Sequence, residues 1–309
     1  MIRMQPLNVC VSPRVRSQID LRRTARLVVA TLLIACSAVA SAGLPRESRV
    51  PGGVALVPVG AANEAKPTVT REGAPVWVAR RDAQWMAVVG LPLSLAPGEH
   101  ALQIIAAEGN AARCVTFQVA DKRYPTQYVT IKDRAMVDPP AELMARIERE
   151  SAHLKTVRSH WRENSATHAA FIQPAKGRLS GRFGGGRVLN GQPRSVHAGL
   201  DIAVGTGTPL IAPADAVVLD VGEYYFCGKA MFLDHGNGLI SMYCHLSDWI
   251  ATAGATVRQG QPIARSGATG RATGPHLHWS VYLNGVSVEP ELFLPAAPAS
   301  KAARNPSRR

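Results

Sequence analysis

The chain has 309 residues, of which 46% are hydrophobic and 18% are charged, and its formal net charge is +13. This composition excludes a disordered or collagen-like chain, and the length suffices for one large or two modest domains. The positive charge favours an anionic partner, but the sequence lacks the basic helix or aromatic platform that binds nucleic acid. We therefore predict no nucleic-acid partner.

Residues 1–42 have the pattern of a signal peptide. Three arginines at positions 22–26 precede the apolar stretch 27–35, which is too short to span a bilayer, and an A-x-A pattern follows at 40–42. Cleavage after Ala42 predicts a mature protein exported to the periplasm or cell envelope. The alternative is a lipoprotein, since residues 33–36 resemble a lipobox, in which Cys36 would carry a lipid anchor to a membrane.

Residues 43–135 alternate short apolar runs with turn residues. Runs such as 54–57, 86–89 and 114–119 have the length and composition of strands, and turn pairs such as Pro97-Gly98 separate them. This pattern predicts an N-terminal β-sandwich.

A helical linker is predicted over residues 136–165, with Asp138 as the N-cap ahead of two prolines. Its apolar residues at helical spacing are Leu143, Ile147, Leu154, Val157 and Trp161. From 166 to 296 the pattern returns to strands and glycine turns, which predicts a second β domain without a long helix. Residues 297–309 are basic and rich in Ala, Pro and Ser, as in a disordered tail. The predicted fold class is mainly β.

Four histidines between residues 197 and 278 lie near a carboxylate at suitable spacing. Side chains at even offsets share one face of a strand, so His197 can lie beside Asp201, and His276 beside His278. A catalytic zinc usually takes three His or Asp/Glu ligands and keeps a fourth position for water. His197, Asp201 and one of the paired histidines supply three ligands, which leaves the other histidines free to move protons.

Three motifs carry a family resemblance: H-A-G-L-D at 197–201, Y-C-H-L-S at 243–247 and G-P-H-L-H-W at 274–279. In order and spacing they resemble the LytM/lysostaphin-type zinc peptidases, and the likeness covers roughly residues 171–294. The resemblance implies an antiparallel β domain with a groove and one zinc ion. The implied ligands are His197, Asp201 and His278. The implied catalytic pair is His276, as general base, and His245, which would orient or stabilise the tetrahedral intermediate.

The resemblance implies an endopeptidase that hydrolyses the cross-linking peptides of bacterial peptidoglycan. The β-rich region before residue 135 resembles the N-terminal domain of some Gram-negative members, which favours a D-alanyl-diaminopimelyl bond over the pentaglycine bridge. The rival function is a non-catalytic activator of other wall hydrolases or a wall-binding module. That class predicts lost ligands, whereas all five positions are intact here. Latency is a further hypothesis, with segment 183–191 or the N-terminal domain covering the groove.

Two smaller features stay open at this point. Cys227 and Cys244 flank a predicted hairpin, so they are either a disulfide or two buried thiols. The D-H-G-N-G run at 234–238 has the pattern of a hairpin turn, which gives His235 a structural role.

Overall fold

The computed structural model describes residues 43–105, 113–194 and 196–296. The predicted signal peptide, the lipobox at Cys36 and the basic tail lie outside these ranges. Within them the chain forms twenty strands and one α-helix, so the mainly β prediction is confirmed. None of the described helices is both long enough and apolar enough to cross a membrane.

The strands are numbered in chain order. They are β1 (Val54–Ala61), β2 (Thr68–Arg71), β3 (Ala74–Pro75), β4 (Trp77–Arg81), β5 (Gln84–Gly90), β6 (Gly98–Ile105), β7 (Arg113–Val119), β8 (Thr126–Val129), β9 (Arg178–Gly181), β10 (Gly186–Leu189), β11 (Gln192–Arg194), β12 (Leu200–Ala203), β13 (Pro209–Ile211), β14 (Ala216–Tyr224), β15 (Gly228–Gly236), β16 (Leu239–Trp249), β17 (Thr256–Val257), β18 (Pro262–Ser266), β19 (Leu277–Leu283) and β20 (Val286–Val288). The helix α1 spans Ala141–Arg158, and 3-10 turns lie at Arg134–Met136 and Pro290–Phe293.

Two antiparallel sheets form the predicted N-terminal sandwich. One has the order β1-β5-β4 and the other the order β3-β2-β6-β7. Their facing side chains, among them Val57, Leu102 and Phe117, share one hydrophobic cluster. Burial alternates along β6, where Leu102 and Ile104 are buried between exposed neighbours, as expected of a strand with one buried face.

The β1-β5-β4 sheet is buried on both of its faces. Val57 and Ala87 face the sandwich core, whereas their neighbours Leu56 and Met86 face a second, larger core. That larger core also contains Trp279 and Phe293 from the C-terminal region. Because successive strand residues point to opposite faces, a strand packed on both sides must be apolar almost throughout, as the run 54–57 is. The sandwich is therefore packed onto the C-terminal region through a continuous core.

Ten strands of the C-terminal region form one large antiparallel sheet. Its main path has the order β17-β14-β15-β16-β19-β12-β9, and β13, β18 and β20 pair with members of that path. One face of β19, with Leu277, Trp279 and Val281, packs into the large core. The opposite face carries its polar residues at the groove end and packs against α1 through Tyr282 at the other end.

The helix α1 begins later than its predicted cap. Pro140 is the N-cap residue, with an extended backbone and no side-chain cap, and the carboxylate of Asp138 instead binds Arg194 and Gln192. The prediction that Asp138 caps the helix was wrong. The residue before a proline is driven out of the helical region, so the Pro139-Pro140 pair delays the helix to Ala141.

The β8 strand leaves the sandwich and joins the C-terminal region. It pairs in parallel with β10, which pairs with β11 on its other side. Gly184 allows this approach, since a Cβ there would lie 2.3 Å from the Tyr124 ring, and the Tyr124 hydroxyl donates to the Pro51 carbonyl at 2.8 Å. The sequence did not predict this strand.

Cys227 and Cys244 are free thiols in this structure. They lie in one cluster with Tyr282 and Val157, and the His245 N–H donates to the Cys227 carbonyl at 2.8 Å, which brings the two cysteines side by side. The structure thus places them in contact, in the reduced form.

The turn between β15 and β16 is the predicted hairpin. Asn237 and Gly238 have φ of 51° and 72°, as a type I′ turn requires. His235 next to it is buried, and its ring bonds the Asp215 carbonyl at 3.0 Å and the Ser241 hydroxyl at 2.8 Å. Burial lowers the pKa of His235 from 6.5 to about 4, although the Asp215 carbonyl opposes that change.

His235 should make the folded state sensitive to mild acid. As the pH falls from 6.5 toward 4, His235 binds a proton in the unfolded chain but stays unprotonated in the folded protein. The free energy of unfolding therefore falls across this range. With 1.36 kcal/mol for each pH unit, the loss reaches about 3 kcal/mol. We expect urea unfolding across this range to show a pH slope smaller by about one proton in His235→Gln. Gln84→Ala, which removes an exposed side chain of the sandwich that does not titrate, should keep the slope, and an unchanged slope in His235→Gln would contradict the assignment.

Gly90 marks the closest approach of the sandwich to the β19-β20 hairpin. A Cβ at Gly90 would lie 2.4 Å from the Leu283 carbonyl oxygen, and the Gly90 N–H donates to Asn284 Oδ1 at 3.1 Å. Gly90→Ala must separate the two layers, and we expect it to lower the free energy of unfolding by about 1–3 kcal/mol in urea denaturation. Gly205→Ala is the matched control, because its nearest neighbour atom lies 4.0 Å away. Equal stability of the two variants would exclude a tight contact at Gly90.

Candidate metal centre and catalytic groove

The register of two strands places the first two site residues side by side. Asp201 on β12 is directly opposite His278 on β19. Directly opposite residues project to the same face of a sheet, with Cβ atoms about 5 Å apart. His276 precedes β19 by one residue and is held by a bridge to Gly267. It shares the face of His278 because it lies two residues away.

Three side-chain atoms converge, two from β12 and β19 and one from His197, which lies in the loop three residues before β12. Asp201 Oδ1 lies 3.0 Å from His197 Nε2 and 2.8 Å from His278 Nδ1, and the two nitrogens are 3.1 Å apart. In a tetrahedral zinc site, bonds of 2.0–2.1 Å place ligand atoms about 3.3 Å from each other. The donor set of two imidazole nitrogens and one carboxylate oxygen, at this spacing, therefore fits a small divalent ion with a slight outward movement.

Each of these three groups is held by a further contact on its far side. His197 Nδ1 donates to the Arg182 carbonyl at 2.8 Å, and His278 Nε2 bonds the Ser280 hydroxyl at 3.0 Å. Asp201 Oδ2 accepts from Arg187 at 2.8 Å. Such outer contacts fix the ring tautomer and the orientation of metal ligands. They leave His197 Nε2, His278 Nδ1 and Asp201 Oδ1 to face one another.

The protonation states suit metal binding. Burial opposes ionisation of Asp201, but the close contacts of its carboxylate with His197 and His278 outweigh burial and hold the pKa of the carboxyl well below its usual range. Burial lowers the pKa of His278, which outweighs the opposing effect of Asp201. A carboxylate and a neutral imidazole are the forms that ligate a metal.

His245 and His276 form a second pair beside these groups. Their ring centroids are 4.7 Å apart, and His276 Nε2 lies 3.8 Å from Asp201 Oδ1. The Nδ1 atoms of His245 and His276 each lie 2.8 Å from a carbonyl oxygen, of Thr269 and Gly274 respectively. Because a carbonyl can only accept, each Nδ1 carries a proton, so the tautomer of either ring that has a single proton leaves Nε2 unprotonated.

The backbone at His245 has an unusual conformation. Tyr243, two residues earlier, faces the large core with Trp279, so strict alternation would turn His245 toward that core as well. Its φ is 63°, in the left-handed region that non-glycine residues rarely adopt, and its ring lies with His276 and His278 instead. Burial, followed by the charges of His278 and His276, lowers the pKa of His245 to about 3. Strained backbone of this kind is typical of functional positions.

The two histidines and Asp201 line a groove of about 300 Å³. Alternate residues of β8 and β10 form one wall, with Gln127 opposite Arg187 and Val129 opposite Leu189. Arg271 and Thr273, in the loop that leads to His276, also line the groove. Segment 183–191, which the sequence suggested as a cover, forms part of this wall.

Sequence reasoning named five site residues and missed three that the structure adds. The five converge as described. Arg187, Ser280 and Arg271 were not singled out, because each lies outside the three motifs and strand alternation does not connect Arg187 or Arg271 with Asp201. Ser280 had a signal, since it follows His278 by two residues and so shares its face.

Comparison with known proteins decides the family. Residues 195–290 match peptidase family M23, and residues 47–122 match the peptidase family M23 N-terminal domain. A crystal structure of a peptidase M23 from Pseudomonas aeruginosa is 37% identical with a TM-score of 0.66, and the match covers 80% of this chain and 95% of that one. The chain belongs to peptidase family M23. The resemblance predicted from the sequence, in both the peptidase and the N-terminal region, is confirmed.

Two relatives of this M23 chain are named for their activities. The DD-carboxypeptidase/endopeptidase Mpg of Neisseria gonorrhoeae is 42% identical over 95 residues, which are 31% of this chain and 22% of the relative. The peptidoglycan DD-endopeptidase ShyC of Vibrio cholerae is 37% identical over 115 residues, which are 37% of this chain and 26% of the relative. The matched part of the M23 chain thus spans about a quarter of the length of these relatives.

Proposed function

We propose that this M23 peptidase is a zinc metalloendopeptidase that hydrolyses the cross-linking peptides of bacterial peptidoglycan. The observation that carries the proposal is the convergence of His197 Nε2, Asp201 Oδ1 and His278 Nδ1 beside two further histidines in an open groove. One zinc ion per chain, held by these three atoms, fits the donor set. The names of the relatives support peptidoglycan as the substrate.

Zinc, when bound, supplies a Lewis acid that polarises the scissile carbonyl and lowers the pKa of the attacking water. His276 is placed to act as the general base, since its Nε2 lies at the groove 3.8 Å from Asp201 Oδ1 while its Nδ1 proton points to the Gly274 carbonyl. It removes a proton from the water as the new C–O bond forms. It then delivers that proton to the amine nitrogen as the C–N bond breaks, so that protons balance over the reaction.

Hydrogen-bond donation to the tetrahedral intermediate, a role that the resemblance implies for His245, does not fit the contacts of its ring. Its Nδ1 proton is committed to the Thr269 carbonyl, and its lowered pKa of about 3 keeps the ring neutral. A neutral ring with an unprotonated Nε2 accepts hydrogen bonds and cannot donate one to an oxyanion. We therefore assign His245 to orienting the attacking water.

The proposed bond is the D-alanyl-diaminopimelyl cross-link, which both relatives' DD-peptidase names support. Peptidoglycan lies outside the cytoplasmic membrane, so the proposed location is the periplasm or cell envelope. Export by the signal peptide of residues 1–42 agrees with this location, and lipidation at Cys36 is the alternative form of attachment.

Single histidine variants separate ligands from catalytic groups. We expect His278→Ala to lose zinc and activity together, because two remaining ligands hold the ion weakly. His276→Ala should keep about one zinc per chain while kcat falls about 10²–10⁴-fold. Zinc is measured by atomic absorption after dialysis, and His100→Ala, in the sandwich, serves as the control. Loss of zinc from His276→Ala would overturn the ligand assignment.

Digestion of purified cross-linked peptidoglycan tests the function itself. We expect diaminopimelate-type wall to yield peptide-cleaved muropeptides, identified by mass spectrometry, and a chelator to abolish their release. If the enzyme cleaves only wall with pentaglycine bridges, the endopeptidase activity is supported but the proposed D-alanyl-diaminopimelyl bond is wrong. If the protein binds zinc but cuts neither wall, the non-catalytic activator or wall-binding function takes the place of this proposal.

A further inference from the structure

Arg271 stands out among the residues that line the groove. The charged side chains of the lining are those of Asp201, Arg187 and Arg271, beside the two catalytic histidines. Arg187 is engaged by Asp201, and the nearby Arg194 is engaged by Asp138. Arg271 makes no ion pair with any residue in the described ranges. The groove thus contains one cation without a counter-charge.

The contacts of Arg271 leave most of its hydrogen-bonding capacity unused. Its guanidinium lies over the Phe226 ring at 4.5 Å, and Nη1 donates to the Met136 carbonyl at a long 3.4 Å. A guanidinium carries five N–H donors in a planar fork that matches a carboxylate. The stacking on Phe226 and the backbone bond from Arg271 N–H to the Phe226 carbonyl at 2.8 Å fix where this fork lies. The guanidinium is therefore preorganised to bind an anion, and no anionic side chain in the described residues is paired with it.

The electrostatic surroundings point to an anionic ligand. Burial lowers the pKa of Arg271, and the positive charges of Arg187 and Arg194 lower it further. A partly buried arginine near two like charges is stabilised when a carboxylate binds it. At about 300 Å³ the groove is at the small end of ligand sites, so Arg271 and the catalytic histidines contact the same short stretch of substrate.

We propose that Arg271 binds a free carboxylate of the substrate next to the scissile bond and so selects cross-links that contain one. In a D-alanyl-diaminopimelyl cross-link, the carbon bonded to the scissile nitrogen carries such a carboxylate. A bridge built of glycine alone has none at that position. This inference rests on the proposed peptidase function and deepens it, because it gives a physical reason for one bond over the other.

The test compares two synthetic cross-linked peptides that differ only at this group, one with the free carboxylate and one with the carboxamide. The wild-type enzyme should cleave the acid with a kcat/KM about 10–100-fold higher than the amide, with the difference mainly in KM. Arg271→Gln should lose about the same factor on the acid and stay within about threefold on the amide. Arg271→Lys, which keeps the charge without the fork, should recover part of the preference.

Two controls separate recognition from structure. Arg258→Gln removes an exposed arginine of a turn and should leave both substrates unaffected. Zinc content and thermal unfolding of Arg271→Gln should match the wild type. An equal fall on acid and amide, or none on either, would overturn the inference while the peptidase function stands.

A binding experiment keeps the inference testable without turnover. His276→Ala is expected to cleave about 10²–10⁴-fold more slowly, too slowly to consume the peptide during a titration, so calorimetry with the same acid and amide peptides measures recognition alone. The acid should bind about 10-fold or more tightly than the amide, and Arg271→Gln added to this background should abolish the difference. No acid preference in binding contradicts the carboxylate subsite. Acid preference without hydrolysis by the wild-type enzyme would contradict the peptidase function instead.

Discussion

The pairing of Asp201 with His278 across β12 and β19 is the constraint on which the site depends. A slip of one residue would turn His278 toward the core and bring Leu277 or Trp279 to the groove. Burial of apolar side chains prevents this slip, because Leu277, Trp279 and Val281 are fully buried on the other face of β19. The hydrophobic effect, which acts on one face of the strand, therefore sets the geometry of the proposed ligands on the opposite face.

The same core reaches the N-terminal sandwich. The sheet β1-β5-β4 contributes Leu56 and Met86 to the cluster that contains Trp279, and Gly90 permits backbone contact with the β19-β20 hairpin. The strand that carries His278 is thus supported from behind by a layer that belongs to the other region of the chain. Catalytic groups are most precise on rigid elements whose own packing is complete, and this layer completes the packing of β19.

Periodicity and motif spacing predicted the parts of the fold and site that depend on local order. The alternation at 276–279 places His276 and His278 on one face, and the three motifs together indicated the family. Alternation fails at His245, where a left-handed backbone turns the ring to the other face. Alternation also does not predict the pairing of β8, because its partner β10 lies 60 residues later in the chain. Nor does it predict the contact of Arg187 with Asp201, which depends on the three-stranded sheet of β8, β10 and β11. Such contacts are set by tertiary packing, which no local pattern encodes.

One wall of the groove comes from β8 and the residues after it, Gln127, Val129 and Ile131. This segment lies between the two stretches that match the family, 47–122 and 195–290. It holds neither a proposed metal ligand nor a proton-transfer group, yet it faces the same space. Mutations in this segment can change the shape of the groove without altering the residues proposed for catalysis. Related enzymes can therefore diverge in substrate specificity while their catalytic residues stay the same.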